Sequence, residues 1–111
     1  MKRYGSVIGV CPEKLEEYKQ LHANVWQSVL KMIAECNIRN YSIYYKDGLL
    51  FSYYEYYGDN YAADMARMAA DPETQRWWDL CMPCQQPLDT RKKDEWWAEM
   101  EEFFYFSGDE Y

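Results

Sequence analysis

An α+β fold, with one antiparallel sheet and helices packed on one of its faces, is predicted by three observations. Residues 15–36 carry apolar side chains at helical spacing, two β-prone stretches meet at Asp47-Gly48, and a second helical stretch begins beyond them. In 111 residues these pieces make one domain, 1–111, of a size that buries roughly 60 to 70% of its unfolded-state surface.

Taken in order, residues 4–10 are rich in β-prone side chains and form the first strand. Pro12 suits a first helical turn, where its missing N–H is not needed. Leu15, Tyr18, His22, Val25, Trp26, Val29 and Ile33 then recur on one face, which predicts a single helix over 15–36. Residues 39–45 and 49–57 are two strands joined by Asp47-Gly48, a strong hairpin signal because both positions tolerate positive φ. Residues 62–70 are helical, and Asp71-Pro72-Glu73 starts a further helix with Asp71 as its cap. Polar residues 85–94 read as a loop, and 100–106 as a final strand. The order is that of a ferredoxin-like βαββαβ arrangement. Its helices cover one face of the sheet, so the other face needs a cover, which a second subunit packed sheet to sheet provides.

Composition narrows the partners. A formal charge of -7 argues against nucleic acid, whose binding rests on Lys and Arg displacing counterions. No apolar run approaches the roughly 18 residues of a membrane helix, so no membrane partner is expected. Met1-Lys2-Arg3 imitates a signal sequence only weakly, since the apolar stretch behind it is short and interrupted by Gly5, Ser6 and Gly9. The expected location is therefore cytoplasmic, with Cys11, Cys36, Cys81 and Cys84 as reduced thiols. Cys81-Met82-Pro83-Cys84 is a CxxC, but zinc needs a second pair at ligand spacing, and a redox site needs the motif to open a helix. It is assigned no role, no metal site is expected, and no cofactor is called for. Twelve Tyr, five Trp and four Phe are more rings than a small sheet can cover, which points to a lined pocket, a partner subunit, or both.

The candidate chemistry centres on His22, the only histidine, placed one helical turn after Tyr18. Histidine both gives and takes a proton near neutrality, so imidazole and phenol can converge on one small ligand. A lone helical histidine also serves as a packing residue, and its company decides. Tyr41 shares a strand face with Ile43 and Tyr45, while Ser42 and Tyr44 share the other, so Tyr41 points into a cavity or lies half-buried in the sheet. Trp77 and Trp78 are about 100° apart on a helix, so one is a stacking platform and the other core. Trp96-Trp97 poses the same question. Glu16-Glu17, Glu101-Glu102 and the charged run 91–95 read as solvated surface.

Tyr18, His22 and Trp26, then Asn40-Tyr41-Ser42-Ile43-Tyr44, Gln75-Arg76-Trp77-Trp78, Met82-Pro83 and Glu101-Glu102-Phe103-Phe104-Tyr105, in this order, resemble the L-rhamnose mutarotase family over residues 4–106. The resemblance implies a dimeric ferredoxin-like α/β-barrel and interconversion of the α and β anomers of a 6-deoxy sugar, with no cofactor. It implies that His22 is the proton donor and that Tyr18, Tyr41, Trp77 and Trp78 bind a monosaccharide. Departures at Gln27, at Cys81 and Cys84 and through residues 88–97 bear on which sugar is used, L-fucose or another monosaccharide being alternatives. Two rival readings are a haem-binding monooxygenase on a similar dimeric barrel, with His22 as axial ligand, and a sugar-binding module without catalysis.

Overall fold

Along the chain, β1 (Lys2–Val10) is followed by α1 (Leu15–Ala23), α2 (Gln27–Glu35), β2 (Ile38–Lys46) and β3 (Leu49–Tyr56), then α3 (Tyr61–Ala70), α4 (Pro72–Cys81), β4 (Gln85–Gln86) and β5 (Ala98–Met100). The structure, a computed structural model, describes residues 1–109. The β-prone start of the chain lies inside the sheet, with pairing partners on both edges. β1 pairs antiparallel with β3 from Lys2↔Tyr56 to Gly9↔Leu49, and β2 lies on the far edge of β3. On its other edge β1 meets β4 at Gly9 and Val10, and β5 at Gly5, Ser6 and Val7. The result is the predicted ferredoxin-like order, β2-β3-β1-β4, with the fourth position divided between two short strands.

Asp47 and Gly48 both have positive φ, 50° and 81°, and close β2 onto β3 in a two-residue turn, as the sequence predicts. Asp71 caps α4 as expected, its carboxylate accepting from the Thr74 backbone N–H at 2.9 Å and hydroxyl at 2.8 Å.

Three expectations are corrected. The single helix over 15–36 is two helices, because Asn24 (φ -141°, ψ 66°) and Trp26 (φ -61°, ψ 138°) leave helical geometry. The half-buried Val25 and Trp26 at this break pack against the core, so their burial is kept while the chain changes direction. The predicted loop at 85–94 begins with a paired strand, β4. The last strand is 98–100 rather than 100–106. Beyond Met100, side chains replace the backbone ladder: the Arg3 guanidinium donates to both carboxylate oxygens of Glu102, at 2.8 and 2.9 Å, and lies 3.3 Å over the Tyr105 ring.

Ile8, Val10 and Leu50 from the sheet form the core with Tyr18, Val29 and Trp77 from the helices. Alternation along β1 and β3 puts Tyr4, Ser6, Ser52 and Tyr54 on this same face. Arg3, Gly5, Val7, Phe51, Tyr53 and Glu55 occupy the opposite face. The aromatic residues after β5 add to the exposed apolar surface, Phe103 being 93% and Phe104 78% exposed.

Candidate functional site

The helical spacing of Tyr18 and His22 does what four-residue spacing must. Both rings project from one face of α1, with centroids 4.3 Å apart and planes tilted by 34°. His22 Nδ1 lies 2.9 Å from the Tyr18 carbonyl oxygen. A carbonyl only accepts, so Nδ1 carries the proton and the neutral ring keeps its lone pair on Nε2. No described residue engages Nε2, and it is not a sealed polar atom, so this nitrogen faces solvent or a ligand.

Trp77 closes the cluster from α4. Its ring meets His22 edge-on at 5.4 Å and Trp26 edge-on at 5.5 Å, and the residue is buried. The break between α1 and α2 is what sets Trp26 against Trp77. Trp78 turns away from this group; it is half-buried against the core, with no ring contact to His22. Of the adjacent pair, Trp77 is therefore the ring beside the imidazole.

Tyr18 is buried, and burial pushes its phenol from an ordinary 10 up to about 12. It stays protonated at neutral pH, and its hydroxyl accepts a hydrogen bond from Gln85 Nε2 at 3.0 Å. Tyr41 comes from the far edge of the sheet. It sits within a bulge between Arg39 and Ser42, where Asn40 has φ 53° and the register shifts. Its ring packs edge-on against Tyr54 at 5.3 Å. The residue is 44% exposed overall, yet burial around its hydroxyl raises the phenol strongly, with Tyr18, Cys81 and Tyr61 as electrostatic neighbours. Tyr41 thus faces the helix side of the sheet, toward Tyr18.

The sequence reading missed a group of tyrosines at one end of this face. Tyr4 stacks on Tyr61 at 4.4 Å, and the Tyr54 and Tyr61 hydroxyls hydrogen-bond to each other. Burial raises both of those phenols. Also missed were Gln85 and Trp96, whose indole Nε1 donates to Gln85 Oε1 at 2.7 Å. The only signal was the Trp96-Trp97 pair, which does divide: Trp97 packs on the core, and Trp96 reaches Gln85.

Of the four cysteines, only Cys81 and Cys84 form a motif singled out for metal or redox chemistry. All four are free thiols, and the described residues hold no cluster of three or more His, Cys, Asp or Glu able to ligate an ion. Burial pushes the Cys81 thiol up to about 12, which leaves it protonated and unreactive. Two surface hollows lie elsewhere. One, of about 260 Å³, is lined by Met1, Lys2, Tyr56, Gly58, Asp59 and Tyr61, and the other by Arg39, Asn40 and Tyr57. Neither is lined by His22 or Trp77, so the site is defined by its converging groups.

The arrangement offers an imidazole with one free nitrogen, a buried phenol that stays protonated, and an indole alongside. It can pass protons to and from a small neutral ligand held against rings. The chain is 35% identical over 86 residues to L-rhamnose mutarotase of Bacillus subtilis (strain 168), covering 75% of this chain and 79% of that protein. The solved structure of an L-rhamnose mutarotase from Formosa agariphila superposes with a TM-score of 0.74 at 18% identity, covering 96% of this chain and 99% of that one. Tetracenomycin F2 cyclase from Streptomyces glaucescens, a type-II polyketide cyclase, superposes almost as well, with a TM-score of 0.73 at 14% identity, covering 96% and 98%. The fold alone is thus shared by proteins of different chemistry. The family model for L-rhamnose mutarotase matches residues 3–106, and the chain belongs to the L-rhamnose mutarotase family.

Proposed function

We propose that this isomerase interconverts the α and β anomers of L-rhamnose, or of a related 6-deoxy sugar, by general acid–base catalysis through His22. The observation that carries the assignment of His22 is the hydrogen bond from Nδ1 to the Tyr18 carbonyl, which commits the neutral ring to a free Nε2. Ring opening removes the proton of the anomeric hydroxyl and delivers one to the ring oxygen. Rotation about the exposed carbonyl and reclosure then give the other anomer. Neutral His22 takes a proton at Nε2 and the imidazolium returns it, so one residue serves both directions of a reversible step. Tyr18 and Tyr41 are hydroxyl partners of the sugar, and both stay protonated at neutral pH. Trp77 is the indole whose ring meets His22, and it lies against the apolar C–H face of the sugar. Trp78 has a lesser part, because it packs on the core away from His22.

The same reading places the chain in a homodimer, supported by the apolar residues on and beyond the helix-free sheet face. A cytoplasmic location is supported by four free thiols, three of them buried. Among the described residues no helix is long and apolar enough to cross a membrane.

The experiment is saturation transfer between the anomeric protons of L-rhamnose. His22→Ala is expected to lower the exchange rate by about 10²-fold or more, with the circular dichroism spectrum and most sugar affinity retained. A folded His22→Ala protein exchanging at the wild-type rate would reduce His22 to a packing residue.

A further inference from the structure

The buried Gln85 links two groups that the sequence leaves far apart. Its Oε1 accepts from Trp96 Nε1 at 2.7 Å, and its Nε2 donates to the Tyr18 hydroxyl at 3.0 Å. An indole N–H can only donate, so the atom it meets must be the amide oxygen. That fixes which end of the amide faces Tyr18, a choice that a glutamine with two ambiguous partners would leave open. The Tyr18 oxygen is then an acceptor toward Gln85, and its own proton must point elsewhere. Among the described residues no group accepts that proton.

From this geometry we infer that Trp96 and Gln85 are positioning residues that set the polarity of the Tyr18 hydroxyl, so that it presents its proton to a sugar oxygen and acts as a donor. The inference rests on the reading of the site as a sugar mutarotase. It also separates the roles of two neighbours on α1: His22 Nε2 handles the moving proton, and Tyr18 holds an oxygen in place. Gln85 is itself anchored, because its backbone pairs with Val10 in the sheet and its carbonyl takes the Cys11 thiol at 3.9 Å. Trp96 is 37% exposed at the surface, so its ring can be exchanged for another with little disturbance of the core. The direction of Tyr18 is thereby set from outside the site, by a residue in the segment that leads into β5.

Two arms test this. In the first, kcat and KM for anomer exchange of L-rhamnose are measured for Trp96→Phe and Gln85→Met, each in the wild-type and Tyr18→Phe backgrounds. Trp96→Phe removes the donor that orients the amide, letting Gln85 present its oxygen to Tyr18 and capture the proton meant for the sugar. The expected result is a rise in KM of about tenfold, the scale of one lost hydrogen bond, with kcat within about twofold. The effect should vanish when Tyr18 is already Phe. Gln85→Met leaves Tyr18 free and is expected to raise KM less than Trp96→Phe does. Equal losses in both backgrounds, or a loss confined to kcat, would overturn the inference.

The second arm needs no activity. In labelled wild-type protein, the Trp96 indole proton and the Gln85 side-chain amide protons are expected to exchange slowly with water, and Trp96→Phe should release the amide protons. Free exchange of these protons in the wild type would overturn the relay. Absence of anomer exchange by the wild type, with these protons protected, would instead overturn the mutarotase reading and leave the hydrogen-bonded relay standing.

Discussion

At the scale of single residues, the site depends on two adjacent tryptophans that the fold treats differently. Trp77 is both a core residue and the ring beside His22, whereas Trp78 is half-buried and makes no ring pair with His22 or Trp26. Trp77→Ala should therefore destabilise the fold by about 3–5 kcal/mol, the range for a large aromatic deleted from a core. It should also weaken sugar binding. Trp78→Ala should cost clearly less in stability and bind sugar more nearly as the wild type does. Chemical denaturation, with sugar titrations on the folded variants, checks this. A Trp78→Ala protein that loses more affinity than Trp77→Ala would move the stacking face to Trp78.

At the scale of elements, β4 has two residues and matters beyond its length, since it carries Gln85 to the Tyr18 hydroxyl. Its seat on β1 is shaped by Gly9. A Cβ there would come within 2.6 Å of the Gln86 carbonyl oxygen, closer than any side chain tolerates, and that atom belongs to rigid backbone. Gly9→Ala should push β4 off the sheet and displace Gln85, raising KM for the sugar while β1 and β3 remain paired. Amide exchange at Gln86, and at Cys11, whose N–H donates to the Cys84 carbonyl at 2.8 Å, would show the local opening. Unchanged KM and protection would mean that β4 has room to move as a unit.

The hairpin, the capped α4 and the Tyr18–His22 pair were legible in the sequence, because each rests on chemistry within four residues: positive φ at Asp47-Gly48, a side-chain cap at Asp71, one turn of helix. The split between α1 and α2 was not. Neither Gly nor Pro marks it, and the periodicity runs straight through Val25 and Trp26, which both pack against the core at the break. Tyr41 shares its face with Ile43 and Tyr45, as alternation predicts, although the register irregularity between Arg39 and Ser42 spans it. Gln85 and Trp96 were invisible because their partners are 67 and 11 residues away, and only the folded sheet brings the three groups into line.

At the scale of the whole molecule, the aromatic segment after β5 is the clearest unfinished surface. The radius of gyration is 14.7 Å, against about 13 Å for a compact chain of this length. Four consecutive aromatics, Phe103 to Phe106, are all more than half exposed. Placed on a second copy, with the helix-free face of the sheet, they would supply the apolar area that a stable interface of about 1,200–2,000 Å² requires. Sedimentation equilibrium should show a dimer at micromolar concentration. Phe103→Ser with Phe104→Ser should shift it toward monomer. A wild-type protein that sediments as a monomer would end the homodimer reading.

The position of β1 has a consequence for how the chain is made. It forms bonds to β3, some fifty positions later, and to β5, with Gly5 opposite Met100. During synthesis the first strand leaves the ribosome long before either partner exists, while α1, α2 and the β2–β3 hairpin can form from local contacts alone. The sheet is thus assembled from its edge inward, with its earliest segment waiting for its latest. Until β3 emerges, about forty residues later, the Val7-Ile8-Gly9-Val10 stretch is an unpaired apolar strand, and even then the edge of β1 that meets β5 stays open until the end of the domain is made, a template for wrong pairing.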